Sequence, residues 1–372
     1  MKTNLPKVIL SIFLMISIVS CDDSGMNDKV DYDRSAFLEN FADNLIIPAF
    51  SDLNDKVAAF NTAVTAFGVE QSEDNLATMQ STLKEAWLSY QYVAYLEVGP
   101  SADAFFRDEV NIFPADTTVI NSKIASADYV FTGGANNDVK GFPALDYLIN
   151  GTGTSDQEIL AFYGSSNDGA LRVAYLQEVT DELADIASSI NAAWPAYRET
   201  FVNNLGTDIG SSTGIMVNEF NLQYDLRLKN GKIGIPSGVK SLERVNPDKV
   251  EALYGGYSKE LAIASAQAAI NIFNGKSFGS AQEGEGYDDY LNALGAENAD
   301  IPLAELINDA LALALEETNE IEGTIQDQAE RYNADGDLVQ AYNALQSVIP
   351  LIKVDMTSAM SITITFQDND GD

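Results

Sequence analysis

Across 372 residues the chain carries 56 acidic side chains against 21 basic ones and no histidine, a formal net charge of −35. That balance excludes nucleic acid as a partner, because phosphate binding needs clustered Lys and Arg. The missing histidine excludes a serine triad with a histidine base and the paired-histidine zinc peptidases.

The N-terminus begins with Lys2 and Lys7 around the start of an apolar run, residues 8–19, that leads into Ser20-Cys21. A cationic start, a short apolar core and a small residue before the cut read as a lipoprotein signal peptide over residues 1–20. The run holds 12 residues, short of the ~20 that cross a ~30 Å hydrocarbon layer, so cleavage is expected. Cys21, the only cysteine of the chain, then receives lipid and anchors the protein to a membrane. No internal disulfide is available, so stability must come from packing. Residues 21–30 read as an acidic tether, similar to those of lipoproteins of the bacterial outer membrane, on its periplasmic or exposed face. Once Lys2 and Lys7 are gone, 19 basic residues face 56 acidic ones, about −37. Such a surface repels anionic headgroups and concentrates cations, so the lipid must hold the protein at the membrane.

The remaining ~345 residues exceed the size at which one core stops growing, which predicts two domains, at 31–165 and 166–372. Periodicity makes both helical bundles. From Leu38 the apolar positions Phe41, Leu45, Ala49, Leu53, Val57, Phe60, Val64 and Phe67 recur at steps of three and four, with a kink expected at Pro48. A second helix reads Leu76, Met79, Leu83, Trp87, Tyr90, Ala94 and Val98, closed by Gly99-Pro100. Residues 100–168 are rich in loops. Another long stripe runs through Leu176, Val179, Leu183, Ile186, Ile190, Trp194, Tyr197 and Phe201, across Pro195. Further helices are expected near 214–228, 258–273, 302–321 and 338–356. Only residues 361–366 alternate like a strand, and one short strand must pair with a loop or clamp onto a bundle. The fold class is therefore all-α: two four-helix-bundle-like domains, a functional cleft between them and a short C-terminal extended segment.

Several motifs lose their chemistry on inspection. Gly210-Ser211-Ser212-Thr213-Gly214 spells a nucleophile elbow but lacks a preceding strand and a histidine, so Ser212 or Thr213 is expected to cap a helix. Residues 333–337 begin like a calcium loop, yet the twelfth position is Ala344, not Glu. The acidic end, residues 368–372, is too short for such a loop and reads as a solvated tail.

Residues 141–148, Gly-Phe-Pro-Ala-Leu-Asp-Tyr-Leu, resemble the signature of the imelysin family of bacterial envelope proteins. That signature has a glycine, a histidine two positions on, a glutamate three positions further, then Tyr-Leu. Here Pro143 stands for the histidine and Asp146 for the glutamate. Proline offers no ligand, though it is favoured in a helix's first turn. Residues 86–100, 210–218, 232–241 and 361–372 are similar to the family as well, so the resemblance covers nearly the whole mature chain. It implies two helical bundles with a functional site between them and a role connected with iron acquisition.

The resemblance implies ligand-binding residues at Gly141, Pro143, Asp146 and Tyr147, with Trp87 and Tyr90 from the helix similar to the family's. Core packing is the better account of the last two, since their positions on the apolar stripe already explain them. Asn218 and Glu219 follow the Gly-Ser turn, and Lys232 and Lys240 flank a Gly-Pro loop where they could hold an anion or pair with carboxylates. Any metal would be held by oxygens, from Asp146 and Glu97 with Glu219 as a third ligand, a set suited to iron or another hard cation. Three readings follow: a non-enzymatic envelope protein binding a metal, an iron complex or a small ligand, with iron-uptake partners; a structural or protein-binding surface lipoprotein; and a metallopeptidase.

Overall fold

The computed structural model describes residues 32–164 and 168–366. The signal segment 1–20, Cys21, the tether 21–30 and the end 367–372 lie outside them. Among the described residues no helix is long and apolar enough to cross a membrane.

The chain begins with α1 (Ser35–Asn40), passes through a π-helical turn (Phe41–Ile46) and continues as α2 (Ile47–Val69). The expected stripe is buried along its length. Pro48 lies at the start of α2, directly after the π turn. A proline lacks the N–H that an α-helix interior requires, and a local change of hydrogen-bond spacing accommodates it. Ser72 caps α3 (Glu73–Val93) by accepting from the Asn75 N–H. This helix stops at Val93, five residues short of the expected Val98. The chain then turns to Gly99, whose φ of +59° and contact with the Tyr197 ring leave no room for a Cβ.

The loop-rich stretch carries short helices: α4 (Pro100–Asp103), α5 (Phe106–Val110), α6 (Thr117–Ser126), α7 (Gly141–Asn150) and α8 (Asp156–Tyr163). The long α9 (Gly169–Val202) follows and runs through Pro195. Although the expected boundary at 165/166 puts it in the second bundle, α9 packs along α2. Its buried Leu176, Val179, Leu183, Ile190, Trp194 and Phe201 belong to the core shared with α2 and α3. The stretch from Tyr32 onward forms one compact unit.

Ser211 caps α10 (Ser212–Leu222) by accepting from Gly214 N–H, one residue earlier than the expected Ser212 or Thr213. This helix opens into a π-helical stretch (Gln223–Gly234) and is followed by α11 (Ser258–Phe273) and α12 (Tyr287–Ala293). A two-residue antiparallel pair, β1 (Glu297–Asn298) with β2 (Ile301–Pro302), leads to α13 (Leu303–Glu320), α14 (Ile325–Gln328), α15 (Asp337–Pro350), a second π turn (Leu351–Met356) and α16 (Thr357–Met360). The fold is all-α, as expected. Residues 361–366 are extended but join no ladder. Asn218 takes the place of a strand, donating to the Thr363 carbonyl (3.0 Å) and accepting from the Thr365 N–H (2.7 Å).

Candidate functional site

The signature segment forms α7, and its first residue explains itself by geometry. Gly141 has φ +68°, and a Cβ there would stand 2.2 Å from the Val110 carbonyl oxygen, so glycine alone lets the helix begin against α5. Phe142 stacks on Trp87 at 5.4 Å between centroids and packs on Tyr90 at 5.4 Å. Trp87, Tyr90, Gly141 and Pro143 are all buried, and Phe142 of α7 is the residue that packs on both Trp87 and Tyr90.

Asp146, 1 % exposed, accepts from the Tyr254 N–H (2.9 Å), the Gly255 N–H (2.8 Å) and the Asn150 side chain (2.9 Å). Burial raises its pKa to about 6 against the lowering effect of these three donors. The carboxylate thus fastens the loop around 254 to the motif helix. Tyr147 beside it accepts from Asn121 (2.7 Å) and packs on the Tyr254 ring at 5.4 Å.

Two further polar networks surround α3. In the first, Trp87 Nε1 donates to Asn111 (3.0 Å), Asn111 donates to Glu251 (2.7 Å), and Glu251 pairs with Lys232, both fully enclosed. Desolvation lowers the Lys232 pKa although Glu251 acts to raise it. In the second, Arg107 binds Glu97 (2.6 Å) and Glu219 (2.5 Å) together, and burial raises the Glu97 pKa against that pairing. Lys240 is apart from both, on an exposed 3-10 turn (Val239–Ser241).

The expected oxygen-ligand set does not assemble. Glu97 and Glu219 converge on a guanidinium, whereas Asp146 faces backbone N–H groups. Among the described residues no three Asp, Glu, His or Cys side chains are grouped so as to hold a metal ion. The donor set of α7 therefore does not fit the iron or other hard cation that the resemblance implies: Pro143 supplies no ligand and Asp146 already accepts three hydrogen bonds.

Sequence reasoning missed Arg107, Asn111 and Glu251, which complete these networks from loops and short helices. It also missed a third network, in which Asp225 holds both Lys229 (2.7 Å) and Lys353 (3.1 Å), with Lys229 donating to Gln346 (2.7 Å). The scarcity of cations was the available signal, because Lys229 and Lys232 lie three apart in a chain where acids dominate.

Beside Asp146 lies an open cleft of about 480 Å³, lined by Gln80, Asn150, Thr154, Ser155, Tyr254 and Tyr257 among others. Tyr257 is almost wholly enclosed, edge-on to Trp87 at 5.8 Å, and its hydroxyl has no hydrogen-bond partner.

Fold and site together define an all-helical protein built around buried ion pairs and an amide-bonded carboxylate. The sequence model of the imelysin family matches residues 46–350, and the chain belongs to that family. Among solved structures it is similar to a "putative iron-regulated protein A precursor" from Parabacteroides distasonis, with TM-score 0.71, 16% identity and coverage of 88% of this chain and 94% of that one. It is also similar to an imelysin-like protein from Psychrobacter arcticus, with TM-score 0.65, 16% identity and coverage of 90% and 97%. At these identities the likeness establishes the fold alone. No curated protein matches the chain.

Proposed function

We propose that this is a non-catalytic imelysin-type lipoprotein of the cell envelope, anchored through Cys21 at the outer membrane, which binds a small ligand where α7 meets the loop around 254. The observation that carries this reading is the polar cleft beside Asp146, lined by the half-exposed Tyr254 ring and by Gln80 and Asn150. Small-ligand sites of ~300–1,000 Å³ with a few placed polar groups are the usual form of such clefts.

A peptidase reading finds little support, although the family model carries a peptidase name. Hydrolysis of an amide needs an activated water or nucleophile, and the sequence has no histidine base. The carboxylate at the signature's glutamate position is already bonded to backbone N–H groups. A role in iron uptake or homeostasis, with envelope partners, fits the name of the Parabacteroides neighbour. In that case iron arrives as a complex held in the cleft, since the motif offers no coordination shell.

Calorimetric titration with zinc, calcium and ferric citrate at low and high salt tests the reading. Free cations should bind weakly and lose their signal in high salt, because a diffuse acidic surface is screened whereas a buried coordination site is not. Tight, salt-insensitive zinc binding that vanishes in Asp146→Ala would overturn it and restore the enzyme.

A further inference from the structure

We infer that the cleft beside Asp146 is a binding site for an uncharged sugar, a conclusion that rests on the ligand-binding reading above and specifies its ligand class. Tyr254 remains 37 % exposed although its ring is braced by Tyr147 and its backbone N–H is held by Asp146. A fixed, half-exposed aromatic ring is a platform for a flat face of C–H groups, since it combines a large apolar body with little rotamer freedom to lose.

Around that platform stand groups that read hydroxyls. Gln80 is half-buried and makes no hydrogen bond with another described residue, so its planar amide presents both donors and an acceptor. Asn150 donates to Asp146, and that bond fixes its amide with the carbonyl oxygen available. Ser155 accepts from the Glu158 N–H as the cap of α8 and keeps its own O–H as a donor.

Charge narrows the class further. Asp156 is the charged member of the lining, and no Lys or Arg contributes to it. An anionic ligand such as a phosphate or carboxylate would face a carboxylate on a strongly acidic molecule, and Lys84, which lies over the Tyr257 ring at 5.1 Å, is already paired with Glu260 (3.1 Å). A cationic ligand would find one exposed carboxylate, worth only ~0–1 kcal/mol. An uncharged ring with several hydroxyls and an apolar face matches the Tyr254 ring together with the Gln80, Asn150 and Ser155 side chains, and 480 Å³ lies inside the ~300–1,000 Å³ range of ligand clefts.

The test is titration of the purified mature protein with glucose, xylose, maltose and cellobiose, with galacturonate and ferric citrate as controls, followed by calorimetry and saturation-transfer NMR. At least one neutral sugar should bind in the micromolar to millimolar range and galacturonate should not. Tyr254→Ala and Gln80→Ala should each weaken the sugar about tenfold or more. No sugar binding by the wild type, or binding indifferent to Tyr254→Ala and Gln80→Ala, overturns the inference. Ferric citrate binding that depends on Tyr254 in the absence of sugar binding would overturn the sugar while sustaining the ligand-binding reading, whereas a cleft that binds neither overturns both.

Discussion

Asp146 and Asp225 are both buried to the last few per cent, yet the molecule treats them in opposite ways. Asp225 sits between two ammonium groups, Lys229 and Lys353. Asp146 is met by amide N–H groups alone. Full opposite charges offset the desolvation of the first, while amides leave the second much of its desolvation cost, which raises the Asp146 pKa. The first arrangement builds a rigid core. The second fastens a loop at the rim of a cleft, where a modest change can be felt by whatever binds there.

The sharpest way to break this comparison is to remove each carboxylate. Asp225→Ala leaves Lys229 enclosed without an anion, and such a loss costs about 3–5 kcal/mol. Denaturant unfolding should show that drop, with Asp225→Asn intermediate. Asp146→Ala abandons two backbone donors and one side-chain donor, at about 2–3 kcal/mol because charge-assisted bonds are lost and the N–H groups gain water only in part. If the two variants are equally stable, the contrast between cationic and amide partners is wrong.

Acid titration tests the Asp146 site through its sign. The folded-state pKa of Asp146, about 6, lies above its ordinary 3.8, so the folded protein holds that proton more tightly than the unfolded chain. Its contribution is fully present below about pH 4 and is lost as the pH rises to about 6, a span of roughly 3 kcal/mol. The melting temperature should therefore rise as the pH falls from 7 towards 5, helped by Asp288, which burial also raises to about 6. In Asp146→Asn the rise should be smaller. A melting temperature that falls over that interval in the wild type would contradict the description of Asp146.

Smaller effects lie at the two ends of the chain. Asn218→Ala should release residues 361–366 for about 1–2 kcal/mol, since the extended segment has no other strand to pair with. Cys21→Ser should leave stability unchanged and move the protein from the membrane fraction to the soluble one; retention after a high-salt wash would rule out the lipid anchor.

Periodicity made most of the fold legible. Long stripes at three- and four-residue steps are spread over many turns, so single errors average out, and the buried residues of α2, α3 and α9 were read almost one by one. Boundaries failed where one local contact decides. The end of α3 at Val93 and the cap at Ser211 depend on turn geometry that composition does not carry. The place of α9 was misread because sequence order says nothing about which long helix lies beside α2.

The candidate site was legible only in its apolar half. Trp87 and Tyr90 do pack on the signature helix, through Phe142. Its polar half joins residues as distant in sequence as Gln91 and Glu251, or Arg107 and Glu219. No spacing rule links them. A carboxylate in a sequence looks alike whether it will face a metal, a lysine or a backbone N–H.

The signature's carboxylate secures a loop rather than a metal, and amide hydrogen exchange at Tyr254 and Gly255 tests this most directly. Both amides should be protected in the metal-free wild type, exchange freely in Asp146→Ala, and be indifferent to added zinc or calcium. Amides that exchange freely in the wild type, or change when metal is added because the carboxylate leaves them for the ion, would contradict it.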